Sequence, residues 1–474
     1  MLKILIEKEI RDLLGSAKFV ITFAACALLI ILAFYVGAAR YKLNLRQYEA
    51  SRSEVMRSMS GITDWFEVEN INIFLPPQPL ASLVSGIDND IGRTAHISGR
   101  GSIPTEDSRY NEDPIFAIFR FIDLQFVFAV VLSLFAILLG YDSISGEKER
   151  GTLKLSFANS VPKRTYILGK ILGSLITMAV AISLALAIGL FLFLIMGINL
   201  SGDEWLRLVL IVFSGGLFFS AFLVMSIFVS AITHRSSNSF LILLVVWVIF
   251  VHIVPRASVL LAARSVDVIS VDEIAYRKTV LNAQLHEEFR DGMMNFAIKS
   301  TVESPGDHVK SINEYIDSLS EIRQSKMDEL SLRLAEQRHN AQRTQENLSM
   351  NISRVSPVTS FSLAAANLAG TSTKLKNQFY DEAKNYQRQF GSFLKEKTGV
   401  NPASAIRISV KTDADTEPEK PEPIDTGELP AFAFRDNSTG ESVKAAVVDM
   451  GILSMFNIIF FAGAFIAFVR YDVR

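Results

Sequence analysis

Six apolar blocks without any Asp, Glu, Lys or Arg are the strongest constraint on how this chain can fold. The blocks span residues 19–39, 124–141, 171–200, 208–233, 236–254 and 450–469. A helix needs about 20 apolar residues to cross a hydrocarbon core of roughly 30 Å, so lipid is the solvent that suits these blocks. Charged residues make up only 20% of the 474 residues, against about 25% in soluble domains. The sequence therefore predicts an all-α integral membrane protein with six transmembrane helices.

The predicted membrane helices extend slightly beyond these blocks. Their expected ranges are 19–39, 115–141, 171–200, 204–233, 236–255 and 446–470. The third is about 45 Å long at about 1.5 Å per residue, so we expect it to tilt or to protrude into water. The first is longer than the about 7–15 apolar residues of a signal peptide, which favours a retained helix.

Residues 1–18 precede the first span and have their own pattern. Apolar residues such as Leu2, Leu5 and Ile6 recur at helical spacing between Lys and Glu residues. This pattern predicts an amphipathic helix that lies in the cytoplasmic interface plane. A plain extension of the first span is the alternative.

Basic residues are concentrated on one side of the predicted spans. They lie before the first span, between spans two and three, and after span six: Lys3, Lys8, Arg11, Lys18; Lys148, Arg150, Lys154, Lys163, Arg164, Lys170; Arg470, Arg474. The positive-inside rule therefore places both termini, including the tail 471–474, in the cytoplasm of a cell (inner) membrane. Arg40, Lys42 and Arg46 count against this orientation, but they open a long exported segment, whose charges weigh less.

Two exported segments of unequal size follow from this topology. Residues 40–114 contain several turn signals and are expected to form mixed loops. Residues 256–444 are expected to form a mainly helical domain. Its predicted parts are a helical hairpin (272–300 and 309–349), an apolar helix lying on the outer membrane face (356–371), an amphipathic helix (375–397) and a disordered acidic loop (413–428). The hairpin either packs only on itself or contacts an exported partner.

The cytoplasmic loop 142–170 joins spans two and three. Glu147, Lys148, Glu149 and Arg150 crowd one helical turn, and Gly151 then interrupts the helix. A short rigid helix held between two spans would act as a lever, because a push from the cytoplasm would tilt both spans. Its charges offer groups with which a soluble partner can pair.

The residues of this loop resemble a known family. The run Gly-Glu-x-Glu-x-Gly-Thr-Leu at 146–153 is followed by Pro-x-Arg at 162–164 and Leu-Gly-Lys at 168–170. This order is similar to that of permease subunits of type-2 ABC (ABC-2) transporters, as are the N-terminal helix, the six spans and the short loop 233–238. The closing Phe-Val-Arg-Tyr-Asp-Val-Arg and the Ser-Pro-x-Thr-Ser-Phe segment at 356–361 resemble a subgroup with a large exported insert before the last span.

The resemblance implies that ATP is hydrolysed on a separate cytoplasmic ABC ATPase, which binds ATP and Mg²⁺. The coupling helix that would contact this ATPase carries Glu147, Glu149, Arg150, Gly151 and Thr152. The chain itself has no Gly-x-x-x-x-Gly-Lys-Ser/Thr phosphate loop, so we expect no cofactor and no catalytic residue in it. The resemblance also implies a second permease, either a copy of this chain or a paralogue.

Polar residues near the outer ends of the spans are the other candidates. Arg120 and Asp123 precede span two, His252 closes span five, and Asp449 opens span six. Charges at mid-membrane cost about 2.5–3.5 kcal/mol, so interface anchoring is the favoured role for residues at a boundary. The alternative is that these four residues line the exit of a translocation path, or pair with one another to fix it.

Several other classes of function are disfavoured. The net charge is −2, which gives no basic field for nucleic acid. The single cysteine and the scattered histidines give no metal-ligand spacing, and no span carries a catalytic pair. Because the spans lack buried charges, a hydrophobic or lipid-like substrate, or mechanical action on an extracytoplasmic partner, fits better than a hydrophilic cargo. A six-span membrane-anchored scaffold without an ATPase is the rival hypothesis.

Overall fold

The structure is a computed structural model that describes residues 1–68, 70–88, 91–98, 105–106, 123–158, 161–299, 305–398, 423–435 and 438–471. Six helices in this part of the chain are long and apolar enough to cross a membrane, which confirms the predicted all-α membrane fold. They are TM1 (Ala17–Met59), TM2 (Leu124–Glu149), TM3 (Lys163–Ile195), TM4 (Gly202–Ile232), TM5 (Ser236–Ser265) and TM6 (Thr439–Arg470). A separate amphipathic helix, α1 (Leu2–Leu14), precedes TM1.

Two short helices form the connection between TM2 and TM3. The TM2 run ends in α2 (Ser145–Glu149), and α3 (Thr152–Ala158) follows it. The helix α1 and Tyr471, the last described residue, lie beside this connection, because α1 packs along TM3 and Lys163 Nζ donates to the carbonyl of Tyr471 at 2.6 Å. We call this end of the bundle the loop side and the opposite end the distal side.

TM4 lies at the centre of the bundle and packs against TM2, TM5 and TM6. Its buried rings Phe218 and Phe222 lie 5.0 Å apart, centroid to centroid. TM5 is peripheral by contrast, since only Ser239 and Leu243 are buried within Ser236–Val248. One side of TM5, with Phe240, Leu243 and Trp247, packs on the core, and its many exposed apolar residues therefore face lipid or another chain.

TM2 and TM5 each contain a π-helical turn, at Val127–Leu132 and Ile249–Ile253. Such turns are rare and are often found at functional positions. The turn in TM5 precedes Pro255, which has no backbone N–H to continue the helical hydrogen bonds. The Phe250 carbonyl instead accepts a hydrogen bond from Ser356 Oγ at 2.7 Å, which ties TM5 to the distal insert.

The distal segments share a small core built on a three-stranded antiparallel sheet. Its strands are β1 (Asn70–Phe74), β2 (Thr94–Ser98) and β3 (Thr105–Glu106), in the order β1-β2-β3. Ile71 pairs with Ile97 in register and both are buried. An amphipathic helix from the second distal segment, α7 (Thr373–Thr398), covers this face with its buried aromatic and aliphatic side chains.

This part of the fold differs from the mixed loops predicted for 40–114. TM1 continues as one helix of 43 residues to Met59, about 65 Å in length, so it extends far beyond the membrane. The five-residue strands were missed because an alternating pattern of that length is too short to be distinguished from a loop. The described strands at 70–74 and 94–98 are therefore part of a folded layer that packs against α7.

The two long helices of the predicted hairpin are α4 (Val271–Lys299) and α5 (Pro305–Ser353). They pack against each other and carry polar contacts across their interface. Lys326 Nζ lies 2.9 Å from Glu288 Oε2, and Arg323 donates to Asn282 Oδ1 at 2.8 Å. Most of the acidic loop predicted at 413–428 lies outside the described residues.

The apolar helix after the hairpin, α6 (Pro357–Ala369), is not on the outer membrane face as predicted. It lies inside the bundle against TM4 and TM6. Phe361 is buried with its ring centroid 5.0 Å from that of Phe218 and 5.6 Å from that of Phe128. The prediction is wrong because hydropathy shows that a segment avoids water, but not whether lipid or protein surrounds it.

Candidate functional site

The connection between TM2 and TM3 is a compact turn of two helices. Gly151 separates α2 from α3 and has φ = +71°, in the left-handed region that glycine adopts without strain. The predicted helix break at this glycine is therefore present. A β-carbon at this position would make the reversal between the two helices costly.

Two oppositely charged side chains fasten α2 to the ends of TM4 and TM5. Lys148 Nζ donates to the carbonyls of Ala231 and Thr233, at 2.5 and 2.9 Å, in the last turn of TM4. Glu149 Oε2 accepts a hydrogen bond of 2.7 Å from Ser236 Oγ, in the first turn of TM5. A cation at a helix C-terminus and an anion at a helix N-terminus both complement the helix dipole. The loop is thereby fixed to two spans that do not border it in sequence.

A buried ionic cluster fastens the other side of α2. Lys170 Nζ lies 3.0 Å from Glu9 Oε2 and 2.9 Å from Glu147 Oε1. The Tyr166 hydroxyl donates a hydrogen bond to Glu147. Glu9 and Glu147 are only 7% and 8% exposed, so each carboxylate depends on these partners for its charge to be tolerated. One lysine of TM3 thus joins α1 to α2.

Small residues of TM3 bring α1 close enough for this contact. A β-carbon at Gly169 would lie 2.7 Å from Leu5 Cβ, and one at Gly173 would lie 2.7 Å from Glu9 Cβ. Glycines four residues apart share one helix face, so they form a groove along TM3. α1 packs in this groove, and Ser174 Oγ donates to Glu9 at 3.4 Å.

The five predicted coupling residues do not all face outward. Glu149, Arg150, Gly151 and Thr152 are exposed on the loop side, next to Lys154 and Leu155. Glu147 is buried in the ionic cluster instead, so its carboxylate is not available to a partner. We call the exposed residues 149–152, 154 and 155 the loop surface.

Sequence reasoning missed Glu9, Tyr166 and Lys170. One signal was present, because Glu9 falls on the apolar stripe of α1 that Leu2, Leu5 and Ile6 define. A charged residue on such a stripe needs a buried partner. The position of that partner, 161 residues away in the chain, could not be read from the pattern.

The residues predicted at the outer ends of the spans have separate partners. Asp123 caps the start of TM2, accepting from the Phe126 amide at 2.7 Å and from Ser85 Oγ at 2.6 Å. The exposed His252 ring packs edge-on against Trp247, with centroids 5.4 Å apart. Arg120 lies outside the described residues. The three described residues do not pair with one another.

Asp449 is fully buried and forms an ion pair with Arg354, with Oδ1 2.7 Å from Nε and Oδ2 3.3 Å from a terminal nitrogen. Arg354 directly follows α5, and Asp449 lies in TM6. A two-point contact of this kind fixes orientation as well as distance. Together with the Ser356 bond to TM5, it attaches the base of the hairpin to two membrane helices. We call these two contacts the distal latch.

These features define a six-span membrane protein with a charged loop fixed at one end and a latched helical arm at the other. A family model described as ABC-2 family transporter protein matches residues 3–473. The chain therefore belongs to the ABC-2 transporter family, as the loop motif implied, and the scaffold alternative is not favoured. No curated protein matches the chain.

Proposed function

We propose that this chain is the permease subunit of an ABC-2 exporter-type complex and that the loop surface seats on a separate ATPase. That ATPase would bind and hydrolyse ATP with Mg²⁺. The permease would lie in the inner membrane, with both of its termini in the cytoplasm. One observation supports the proposal. Ion pairs and hydrogen bonds attach the exposed charged loop to α1, TM3, TM4 and TM5. A push on a loop held in this way moves several spans together, whereas a loose hairpin would absorb it.

The distal latch supports mechanical output. Movement of TM5 or TM6 is passed to the base of α5 by the Ser356 hydrogen bond and the Arg354–Asp449 pair. The hairpin extends the displacement over α5, which has 49 residues and a length of about 70 Å. An extracytoplasmic partner held by the hairpin would thus be moved by ATP turnover on the other side.

Export of a hydrophobic or lipid-like substrate is the second candidate. The large exposed apolar faces of TM3 and TM5, which include Val180, Leu184 and Val245, favour it. The same faces suit a second permease, identical or paralogous, because an apolar interface of this kind packs as well against protein as against lipid.

Reversal of the loop charge tests the ATPase contact. In the double variant Arg150→Glu, Lys154→Glu, both side chains are exposed, and the hydrogen bond that is lost, from Arg150 Nε to the Gly146 carbonyl, lies within the loop itself, so the permease should fold and insert normally. We expect co-purification of the ATPase to fall about tenfold or more, because two cationic contacts become repulsive. Arg52→Glu, on the exposed distal part of TM1, is the matched control and should leave co-purification unchanged.

Normal ATPase association and normal stimulated hydrolysis in the double variant would overturn the assignment of the loop surface. A permease that co-purifies with no ATPase from its native membrane would favour the scaffold instead. Glu149 is unsuitable for this test, because its replacement also removes the bond to Ser236.

A further inference from the structure

The loop-side end of TM6 is held by the connection between TM2 and TM3. Lys148 Nζ, which donates to two carbonyls at the end of TM4, also lies 4.3 Å from the centre of the Tyr471 ring. Tyr471 directly follows TM6, and its carbonyl accepts from Lys163, the first residue of TM3. A lysine ammonium over an aromatic face is attracted by the electrons of the ring. One lysine of α2 therefore contacts the ends of TM4 and TM6 together.

Three aromatic rings make a second connection between the loop and TM6. Phe157 of α3 lies 5.4 Å from Tyr166 and 6.0 Å from Phe468, centroid to centroid. The rings of Tyr166 and Phe468 stack at 5.3 Å, and Phe468 is buried. Ring pairs at such separations attract each other beyond the effect of the area that they bury. Because Tyr166 also bonds Glu147, the end of TM6 packs into the same cluster that fixes α2.

TM4 and TM6 are joined along their length. Near the middle of both helices, Asn457 Nδ2 donates to the Leu217 carbonyl at 2.8 Å, and Ser220 Oγ donates to Asn457 Oδ1 at 2.7 Å. Further along TM6, a β-carbon at Gly463 would lie 2.9 Å from the Phe228 ring of TM4. Polar bonds and close approach at small residues both hold membrane helices together. Since α6 also packs against both helices, TM4, TM6 and α6 form one packed unit, which we call the central body.

The central body also holds the arm at the distal side, because Asp449 of TM6 pairs with Arg354. Asp449 and Phe468 lie about 28 Å apart along TM6, at about 1.5 Å per residue. Sharp bends in helices are almost always found at prolines, at Gly/Ser pairs or at π-helical turns. TM6 is α-helical throughout and has no proline, whereas the bond from Ser356 to TM5 lies within the π-helical turn of that span. TM6 is therefore the more regular of the two helices that hold the arm.

We infer that the central body carries displacement of the loop to the arm, and that Tyr471 is a positioning residue for this coupling. A push on α2 reaches TM4 and TM6 through Lys148 and the Tyr471 ring, and it reaches the arm through Asp449 and Arg354. TM5 follows through its single bond to Ser356. This role rests on the proposed function, because it requires an ATPase that pushes the loop.

The test uses the purified complex of the full chain with its co-purifying ATPase. Ser325→Cys on α5 and Ser53→Cys on the distal part of TM1 place spin labels at two exposed positions, and the single native cysteine, Cys26, is buried. The distance between the labels is measured by pulsed electron paramagnetic resonance, without nucleotide and with ATP and vanadate. Ser325 lies roughly 43 Å along α5 from Arg354, so a tilt of about 5° at the latch moves its label by about 4 Å.

We expect wild type to show a shift in this distance on addition of ATP and vanadate. Tyr471→Ala should lose most of the shift while ATPase co-purification and ATP turnover stay unchanged, because the loop surface is intact. Tyr471→Phe keeps the ring over Lys148 and should behave as wild type. Phe468→Leu shortens the second connection and should reduce the shift independently. The matched control, Tyr35→Ala, removes an exposed ring from TM1 and should leave the shift unchanged.

A full shift in Tyr471→Ala would overturn the inference, and so would a wild-type complex that hydrolyses ATP while its labels stay at one distance. Loss of ATPase association in Tyr471→Ala would also overturn it, because Tyr471 would then belong to the docking contact. If Tyr35→Ala lost as much of the shift as Tyr471→Ala, the effect would not be specific to the end of TM6. A wild-type chain with which no ATPase co-purifies would instead overturn the proposed function, and this role with it.

Discussion

Removal of the Lys170 charge is the most informative perturbation of the loop side. In Lys170→Met, the side chain keeps its approximate volume but Glu9 and Glu147 lose the cation that lies 3.0 and 2.9 Å from them. Two nearly buried carboxylates are then left facing each other without compensation. Removal of one partner of a buried ion pair costs about 3–5 kcal/mol. We expect α1 and α2 to detach locally from TM3 as a result.

Local detachment can be measured by limited proteolysis of the protein in detergent. Trypsin cuts after Arg150, the turn residue that follows α2, and after Lys154 in α3, and both side chains are already exposed. When cleavage follows a fast opening equilibrium, its rate scales with the open population. At about 1.4 kcal/mol per factor of ten, a cost of about 3 kcal/mol raises cleavage about a hundredfold. Cleavage at the hairpin lysine Lys326, far from the cluster, should change little.

A compensating variant separates charge from shape. Lys170→Met combined with Glu9→Gln and Glu147→Gln leaves no buried charge, so most of the lost protection should return. The cluster would then show strong non-additivity, as residues in one network do. If Lys170→Met leaves tryptic cleavage of the loop unchanged, or if the triple variant is cleaved as fast as the single one, the cluster does not hold the loop.

Three further predictions concern other contacts. Arg354→Met leaves the fully buried Asp449 unpaired and should lower the free energy of unfolding by about 3–5 kcal/mol. The double variant Asp449→Asn, Arg354→Met should recover much of this loss in thermal denaturation. Equal losses in the single and the double variant would contradict the ion-pair argument. Lys148→Met leaves two carbonyls at the end of TM4 without their donor and should lower the stability of the loop by about 1–3 kcal/mol. We expect faster hydrogen exchange of the loop amides, and unchanged exchange would contradict this prediction. Gly173→Ala places a methyl group against Glu9 and should cost about 1–3 kcal/mol through overpacking. We expect the amides of α1 to lose protection from hydrogen exchange. If the alanine variant keeps that protection, α1 is not packed in the groove.

The loop shows how far its sequence could lead. The helix break at Gly151 and the exposed Glu149, Arg150 and Thr152 followed from local chemistry, and the structure has both features. The inward position of Glu147 did not follow, because every charge in an isolated helical turn looks equally solvated. Only the lysine that TM3 brings to within 2.9 Å distinguishes this glutamate from its neighbours.

The distal side shows the same limit for apolar and charged residues. The tendency of 356–371 to leave water was correctly predicted, but its burial at Phe361 depends on space left between TM2 and TM4. The membrane-boundary position of Asp449 was visible, but its partner Arg354 lies 95 residues earlier, in the turn after α5. The strands at residues 70–74 and 94–98 pair with each other, and α7 from the second distal segment covers one of their faces, which no local pattern shows.

The sequence by itself determined the six crossings and the family. A crossing is a local property, because each backbone group in lipid must bond within its own helix and about 20 uncharged residues suffice. The tertiary structure alone decided which charges are available to a partner, which apolar helix is a core element, and where the arm is attached. Those outcomes depend on pairs of groups that are far apart in the chain. The free energy of burying a charge or an apolar ring depends on the group that it contacts once buried.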